Sequence, residues 1–197
     1  ARIDTVNEKL LEKLRKAGIR WLAFGIESGS KKSMDGVSKG QYDNGKVKRV
    51  VEMVKNAGIH VLANFMFGLP DDDLEDMQAT YGLCREINPE WINFYVTMAY
   101  PGSKTYREYI ENGEKLPENW MAYAQYSYEC TPKGSKYLSP AQVLEYRDWA
   151  FHAFFEDNGR YFENIEQKFG KQAVASIQES TKGRLRRKLL EGSRSNI

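Results

Sequence analysis

Three short segments of this sequence are rich in glycine, serine or proline, so that their backbone could approach a ligand closely. They are Gly25–Ser30 (GIESGS), Phe67–Pro70 (FGLP) and Tyr100–Ser103 (YPGS), and each follows an apolar run. Glu27 is the one carboxylate placed directly at the end of such a run, and a carboxylate accepts hydrogen bonds from sugar hydroxyls or from an amino group. The alternative is that Glu27 caps the loop or pairs with a lysine such as Lys31.

Other residue types that often do chemistry are better explained as structural. The acidic residues between positions 71 and 76 precede a helical pattern, where carboxylates complement the helix dipole without a metal. His60 begins an apolar run, away from its carboxyl end, and His152 lies in a helical run. The only two cysteines, Cys84 and Cys130, lie far apart, so we expect packing residues rather than metal ligands or a disulfide.

A repeat with an offset of forty residues indicates the elements that carry these segments. The residues Ala17–Ile19 (AGI) recur as Ala57–Ile59, and each copy lies between a helical pattern and an apolar run. Glycine is expected just past a helix end, where a positive φ is needed. The helices are predicted to begin at a capping box of Thr5 and Glu8, at Asp43, and near Asp72 with Glu75.

The strands are predicted from apolar runs that begin at Trp21, His60 and Trp91, the last continuing to Met98. A run as continuous as Trp21–Ile26 suits a strand that is covered on both faces. Strands that alternate with helices of this length form parallel βα units, and a period near forty residues fits a (β/α) barrel. The carboxyl ends of such strands carry the active site, which brings the three segments together.

The pattern changes after residue 105. Residues 106–138 are rich in tyrosine and tryptophan. The aromatic residues from Trp120 to Tyr137 predict packing beneath loops, with a pocket for a planar or amphipathic substrate as the alternative. Ser139–Gln142 opens a helix with a cap, a proline and a capping-box partner, and Gly170 ends a later one. We therefore divide the chain into residues 1–105 and a mainly helical extension, 106–197. The basic tail, Arg184–Lys188, predicts a solvated helix face, with an anionic partner as the alternative.

Charge and hydropathy exclude several classes of protein. The 197 residues carry 29 basic and 27 acidic side chains, so a net charge of +2 argues against nucleic acid as a generic electrostatic partner. No apolar run is long enough to span a membrane, and the scarcity of cysteine indicates a reducing, cytoplasmic compartment. Because the sequence begins at Ala1 and enters a helical pattern at once, we expect a piece of a longer protein.

The ordered set of motifs resembles the later half of the core of radical S-adenosylmethionine (SAM) enzymes. The resemblance covers about residues 1–105 and depends on GIESGS, Lys39-Gly40, FGLP and YPGS in that order. It is strongest to members with an amino-terminal cobalamin-binding domain. It implies the carboxyl-terminal half of a partial (β/α)6 barrel, SAM as cofactor, and a 4Fe–4S cluster. Cleavage of SAM at such a cluster yields a 5′-deoxyadenosyl radical.

The resemblance also implies a set of residues that contact SAM. Glu27 would bond the ribose hydroxyls or the methionyl amino group, Met66 would contact adenine, and Asp71 would take the acidic position after the second strand. Backbone of the third strand would meet adenine as well. The candidate cofactor-binding residues are Gly25, Glu27, Ser28, Met66, Gly68, Thr97 and Met98.

The cluster itself has no ligands in this sequence, since no CxxxCxxC occurs and two lone cysteines cannot supply three. We expect the ligands in a missing amino-terminal half, with cobalamin as a candidate further cofactor, and the chain alone to be inactive. An exposed strand edge and barrel interior predict self-association. The alternatives are a phosphate-binding barrel, which does not account for Glu27, and a non-catalytic module that binds SAM or docks a partner.

Overall fold

The structure, a computed structural model, describes residues 1–36 and 43–191, so Lys39 and Gly40 lie outside the described residues. It shows an α/β fold on a three-stranded parallel sheet, which confirms the predicted fold class. The strands are β1 (Trp21–Glu27), β2 (His60–Phe67) and β3 (Trp91–Val96), adjacent in that order. In the register of the sheet, Phe24 pairs with Ala63, and Ala63 pairs with Ile92.

Helices follow each strand and then form the carboxyl-terminal extension. Within the described ranges they are α1 (Glu8–Lys16), α2 (Lys31–Gly36), α3 (Asn44–Asn56), α4 (Leu74–Ile87), α5 (Lys104–Glu111), α6 (Pro140–Glu156), α7 (Gly159–Phe169) and α8 (Lys171–Thr181). Helix α5 runs across residue 105, and one hydrophobic core contains residues from both sides of it. The division at residue 105 stays a prediction.

One face of the sheet is covered by helices and the other is open. Along β2, Val61, Ala63, Phe65 and Phe67 are buried, whereas the residues between them are only half-buried. The expectation that β1 is covered on both faces is therefore wrong, because the described helices pack on one side only. Trp21 is 45% exposed as a result. We call the uncovered side the open face.

The helix caps confirm some predictions and correct others. Asp43 caps α3, and Ser139 with Gln142 forms the predicted capping box of α6. The cap of α1 is Asn7 rather than Thr5, which ends a short 3₁₀ turn. The capping box of α4 consists of Asp73 and Asp76, whereas the sequence predicted Asp72 and Glu75. The Asp72 side chain serves the preceding loop instead, so the helix begins one residue later than expected.

The glycines of the repeat occupy the positions that the sequence predicts for them. Gly18 and Gly58 follow α1 and α3 with φ of 91° and 71°. Gly170, with φ of 83°, ends α7 as predicted. These positive φ values terminate each helix, and after α1 and α3 the chain turns directly into the next strand.

The extension covers the outer edge of β3, and several of its aromatic side chains face solvent. Helix α6 packs on β3, with Val143, Leu144, Ala150 and Phe154 in the core. The expectation that the tyrosines and tryptophan of residues 120–137 pack beneath loops is wrong for most of them. The exposed members are Trp120, Tyr126, Tyr128 and Tyr137. They have little room beneath the loops because the core side chains of α6 already fill the space against β3.

The basic tail is not a solvated helix face, so this prediction is also wrong. Arg187 is 2% exposed and pairs with Asp148 through two hydrogen bonds of 2.7 and 2.9 Å. Arg184 and Arg186 pair at the surface with Glu156 and Glu191. These contacts hold the tail against α6 and the loop before it.

The two histidines and two cysteines have structural surroundings, as expected. The His60 ring lies 5.0 Å from that of Trp21 and 4.6 Å from that of Phe169. Cys84 and Cys130 are both buried and unpaired, and burial raises the pKa of both thiols. Over the described ranges, no helix combines the length and apolar character that crossing a bilayer requires.

Candidate functional site

The backbone at the end of β1 is irregular at Glu27. The register between β1 and β2 shifts there, so that Gly25 pairs with Asn64 but Glu27 pairs with Phe65. Such a bulge redirects a side chain at the end of a strand. Glu27 also has φ of 69°, which is uncommon for a residue other than glycine. Strain of this kind, on the order of 1–3 kcal/mol, occurs often at functional sites.

The side chain of Glu27 lies over Gly25 on the open face. A Cβ atom on Gly25 would be 2.7 Å from Glu27 Oε1, so the carboxylate occupies space that any other residue at position 25 would fill. Glu27 is 7% exposed and yet sits at the carboxyl end of the sheet. Phe24 and Ile26 point to the opposite, helix-covered face. The sequence prediction that Glu27 lies at the carboxyl end of the first strand is thus confirmed.

The loop after β1 is fixed by helix α4. The Ser28 hydroxyl lies 2.9 Å from that of Thr80, which also accepts a 3.0 Å hydrogen bond from the Gly29 amide. The Ser30 hydroxyl donates to Asp76 over 2.6 Å. Gly29 has no room for a side chain, since its Cβ would be 2.5 Å from the carbonyl oxygen of Ala79. The observed partner of Ser28 is therefore α4, and this pairing holds the loop beside Glu27.

The loop after β2 is held by Asp72, a role that the sequence did not reveal. Asp72 Oδ2 accepts hydrogen bonds of 2.9 and 3.0 Å from the amides of Gly68 and Leu69. Burial raises the pKa of Asp72, although hydrogen bonds to its charged form oppose the rise. These amides bond Asp72 rather than Asp71, the residue to which the resemblance assigns the acidic position. A signal was present, because Asp72 follows Gly68 at the short spacing typical of side chains that bond a turn.

Gly68 is explained by packing as well as by its place at the end of β2. Its φ is 77°, and a Cβ would be 2.7 Å from Val143 Cγ1 of helix α6. The extension thus reaches directly beneath this loop. The expected contact of Gly68 with a cofactor stays a prediction.

Two asparagines form a hydrogen-bonded pair on the open face. Asn93 Nδ2 donates to Asn64 Oδ1 over 2.9 Å, and Asn64 Nδ2 donates to the carbonyl of Phe24 over 3.2 Å. Met66 follows Asn64 on the same face and is half-buried. Neither asparagine is among the residues predicted for the site, although the alternation of buried and half-buried residues places both on the open face.

The end of β3 contributes backbone and one of its two candidate side chains. The Thr97 amide donates to the carbonyl of Phe67 over 3.0 Å, and the Thr97 carbonyl accepts from Lys133 over 2.8 Å. Alternation along β3 puts Thr97 on the open side. The side chain of Met98 instead belongs to the hydrophobic core. Only the backbone of Met98 is therefore available at this edge.

The structure brings part of the predicted set together. Glu27, Met66 and Thr97 lie at or near the ends of neighbouring strands on the open face. Ser28 and Gly68 shape the loops, and the Met98 side chain points away. A carboxylate beside a thioether fits a ligand with hydroxyl or amino donors next to an apolar group.

The residues of this chain do not fit a 4Fe–4S cluster. Three cysteine thiolates are needed, and the sequence has two cysteines, which are buried in the core with raised pKa values. Among the residues that the structure describes, no group of three or more His, Cys, Asp or Glu side chains is placed to hold a metal ion.

Comparison with known proteins finds a similarity in the amino-terminal part of the chain. Residues 2–84 match the model of the Radical SAM superfamily. The relatives that the chain matches are enzymes. It is 29% identical over 123 residues to an uncharacterized methyltransferase of Pyrococcus horikoshii, an alignment that covers 62% of this chain and 27% of that protein.

A second relative is the anaerobic magnesium-protoporphyrin IX monomethyl ester cyclase of Rubrivivax gelatinosus, 31% identical over 102 residues. That alignment covers 52% of this chain and 18% of the cyclase. The chain thus spans about a quarter or less of the curated relatives it matches.

A solved structure supports the fold. The cobalamin- and cluster-bound form of TsrM, a radical SAM methyltransferase from Kitasatospora setae, superposes with a TM-score of 0.52 at 19% identity. The superposition covers 75% of this chain and 27% of TsrM. At this identity the likeness shows the fold alone.

Proposed function

We propose that the open face at the carboxyl ends of β1, β2 and β3 binds the nucleoside part of SAM in a radical SAM enzyme. The observation that carries the proposal is the Glu27 carboxylate, held over Gly25 by a bulge and a positive φ. A strained acidic residue at a strand end, facing the open side of the sheet, has the position and chemistry of a ligand contact.

Each residue of the site has a separate part in binding. Glu27 accepts hydrogen bonds from the ribose hydroxyls or the methionyl amino group, and Gly25 leaves room for the carboxylate. Met66 offers a polarisable thioether to the adenine ring. The backbone at Thr97 and Met98 limits the site on the β3 side. The contacts of Ser28 and Gly29 with Thr80 fix the loop before a ligand arrives, which lowers the entropy cost of binding.

The reaction is proposed from the class of protein rather than from the geometry. SAM and a reduced 4Fe–4S cluster would supply a 5′-deoxyadenosyl radical, or a methyl group where cobalamin takes part. The relatives named as methyltransferases and as a cyclase support this range of reactions. The cluster ligands would lie outside this sequence, so these residues bind and orient SAM without reaching the cluster. A cytoplasmic location and self-association stay predictions.

Binding of S-adenosylhomocysteine (SAH) tests the proposal. A ligand that binds the folded state raises its stability by about 2.7 kcal/mol at a concentration one hundred times Kd. SAH should raise the melting temperature of the chain, and Glu27→Ala should abolish the rise. If inorganic phosphate raises the melting temperature and SAH does not, the site is a phosphate site and the proposal is wrong.

A further inference from the structure

A row of aromatic side chains lies along the outer edge of β3 at its carboxyl end. We call it the β3 rim, and its residues are Tyr95, Tyr100, Trp120, Tyr123, Gln125 and Tyr126. Tyr95 belongs to β3 itself, Tyr100 follows the strand, and the others come from the extension. The proposed function uses none of them.

Gln125 attaches this part of the extension to the sheet. Its Oε1 accepts a 3.0 Å hydrogen bond from the Val96 amide, and its Nε2 donates to the Val96 carbonyl over 3.0 Å. The side-chain amide thus satisfies both backbone groups of Val96, as a neighbouring strand would. The same Nε2 lies 3.1 Å from the Tyr100 hydroxyl. Gln125 therefore fixes the rim relative to the strand end.

A buried network of charges holds Gln125 in place. Arg187 donates to the carbonyls of Gln125 and Ser127 over 3.1 and 2.8 Å, and Asp148 pairs with it. Arg147 is 2% exposed, donates to the Phe94 carbonyl over 2.8 Å, and lies 4.8 Å from the centre of the Tyr126 ring. One face of Tyr126 is therefore supported by a guanidinium, while the residue stays 50% exposed.

Three of the rings, those of Trp120, Tyr123 and Tyr100, form a surface longer than one aromatic ring. The centre of Tyr123 lies 6.1 Å from that of Trp120 and 6.2 Å from that of Tyr100, and the planes of Tyr123 and Tyr100 differ by 29°. Trp120 is 78% exposed and Tyr100 is 45% exposed. Leaving rings this exposed is unfavourable without a partner that covers them. No rim residue is charged.

The rim lies next to the proposed nucleoside site. Tyr95 alternates with the buried Phe94 and Val96, so it belongs to the open face, two residues before Thr97. Partial burial is the main cause that raises the pKa of Tyr95. The nearby hydroxyls of Tyr126 and Tyr100 raise it further. A ligand on the rim would thus extend toward the end of the strand where SAM is proposed to sit.

We propose that the β3 rim binds the planar, multi-ring aromatic part of the enzyme's substrate by stacking, with the phenol groups as its neutral hydrogen-bonding partners. Exposed, supported rings favour a flat apolar ligand, and their spacing favours several fused or conjugated rings over one. The absence of charge among the six rim residues disfavours a substrate bound mainly through anionic or cationic groups. The role of the ligand as a substrate rests on the proposed function. The binding of a planar aromatic ligand to the rim does not depend on that function.

The test uses the whole chain and deuteroporphyrin IX as a planar probe, with cholate as a carboxylate of rigid but non-planar rings. Binding is followed by the fluorescence of the porphyrin and, for cholate, by calorimetry. We expect the porphyrin to bind and cholate to bind at least about tenfold more weakly. Trp120→Leu and Tyr126→Leu should each raise the porphyrin Kd about tenfold. Tyr126→Phe keeps the aromatic ring and should bind porphyrin with the Kd of the unaltered chain. Trp120 is too exposed for its replacement to unfold the chain.

Tyr137→Leu is the matched control, because Tyr137 is 55% exposed in the same extension but contacts Lys32 and Lys136 instead of the rim. Equal weakening by Tyr137→Leu and Trp120→Leu would overturn the proposal, as would equal affinity for porphyrin and cholate. Glu27→Gln should leave porphyrin binding unchanged. A chain that binds porphyrin at the rim but not SAH would contradict the proposed function alone.

Discussion

The carboxylate of Glu27 occupies the space that a side chain on Gly25 would fill, with Oε1 2.7 Å from the position of that missing Cβ. The two residues therefore act as a unit in which one supplies the charge and the other supplies the room. The bulge between them gives the carboxylate its direction across the open face.

Gly25→Ala should displace the Glu27 side chain and weaken SAH binding while the fold survives. The new methyl group meets the end of a flexible side chain, so the loss of unfolding free energy should be about 1 kcal/mol or less. Calorimetric titration with SAH measures the loss of affinity. Gly82→Ala, in the middle of α4 with nothing within 4 Å of its Cβ, is the control and should bind normally. Normal binding by Gly25→Ala would show that the carboxylate position is unimportant.

The pair of Gly68 and Val143 should behave as a packing contact between the sheet loop and the extension. Gly68→Ala introduces a Cβ at positive φ, 2.7 Å from Val143 Cγ1, and should cost about 1–3 kcal/mol of unfolding free energy. Val143→Ala removes the clash, so the double variant should lose about 1 kcal/mol less than the sum of the single losses. Urea denaturation of the four proteins gives these values. Strict additivity would exclude the contact.

The charge network behind the β3 rim should be important for stability. Asp148 pairs with both Arg147 and Arg187, whose side chains are 2% and 1% exposed. Asp148→Asn leaves two buried guanidinium groups without their counter-charge and should cost about 3–5 kcal/mol of unfolding free energy. Glu156→Gln, which breaks the exposed pair with Arg184, should cost less than about 1 kcal/mol. Similar values for the two variants in urea denaturation would contradict the network.

Glu90 should make the stability depend on pH. Burial disfavours its charge, but hydrogen bonds from Lys168 and the Val61 amide and the charge of Lys55 outweigh this, so the pKa of Glu90 lies below its usual 4.5. A lowered folded-state pKa stabilises the protein above the unfolded pKa, and this contribution disappears as the pH falls through the folded value.

Lys168→Met should therefore cost about 1.5–3 kcal/mol near neutral pH and progressively less below about pH 4.5. Urea denaturation over this pH range measures the difference. Lys171→Met, at a site 89% exposed, should show no such dependence. A cost for Lys168→Met that stays constant down to acid pH would show that Glu90 is not its partner.

The sequence was sufficient for the features that depend on local periodicity. The parallel strands, the glycines after α1 and α3, the caps Asp43 and Ser139, and the end of β1 at Glu27 all follow from the pattern of apolar and turn residues. The motifs on the first two strand ends lie within the residues, 2–84, that match the Radical SAM superfamily model.

The features that the sequence did not reveal depend on distant contacts. Asp72 accepts hydrogen bonds from the loop after β2, and Asp73 caps α4. Because Asp71, Asp72 and Asp73 are consecutive and identical, the sequence does not show which of them takes each role. Arg187 is buried because it pairs with Asp148 of α6, and these two residues lie 39 positions apart in the sequence. The rim aromatics are exposed because other extension residues fill the core, and local composition carries no information about that competition.

The affinity of SAH for the chain and for its Glu27→Gln variant tests the central claim most directly. Glu27→Gln keeps the size of the side chain and removes its charge, and Glu75→Gln, exposed on α4, is the matched control. Calorimetry should show SAH binding to the chain and to Glu75→Gln with the same Kd, and at least about tenfold weaker binding to Glu27→Gln. Equal SAH affinity of all three proteins would contradict the assignment of Glu27 to the nucleoside site.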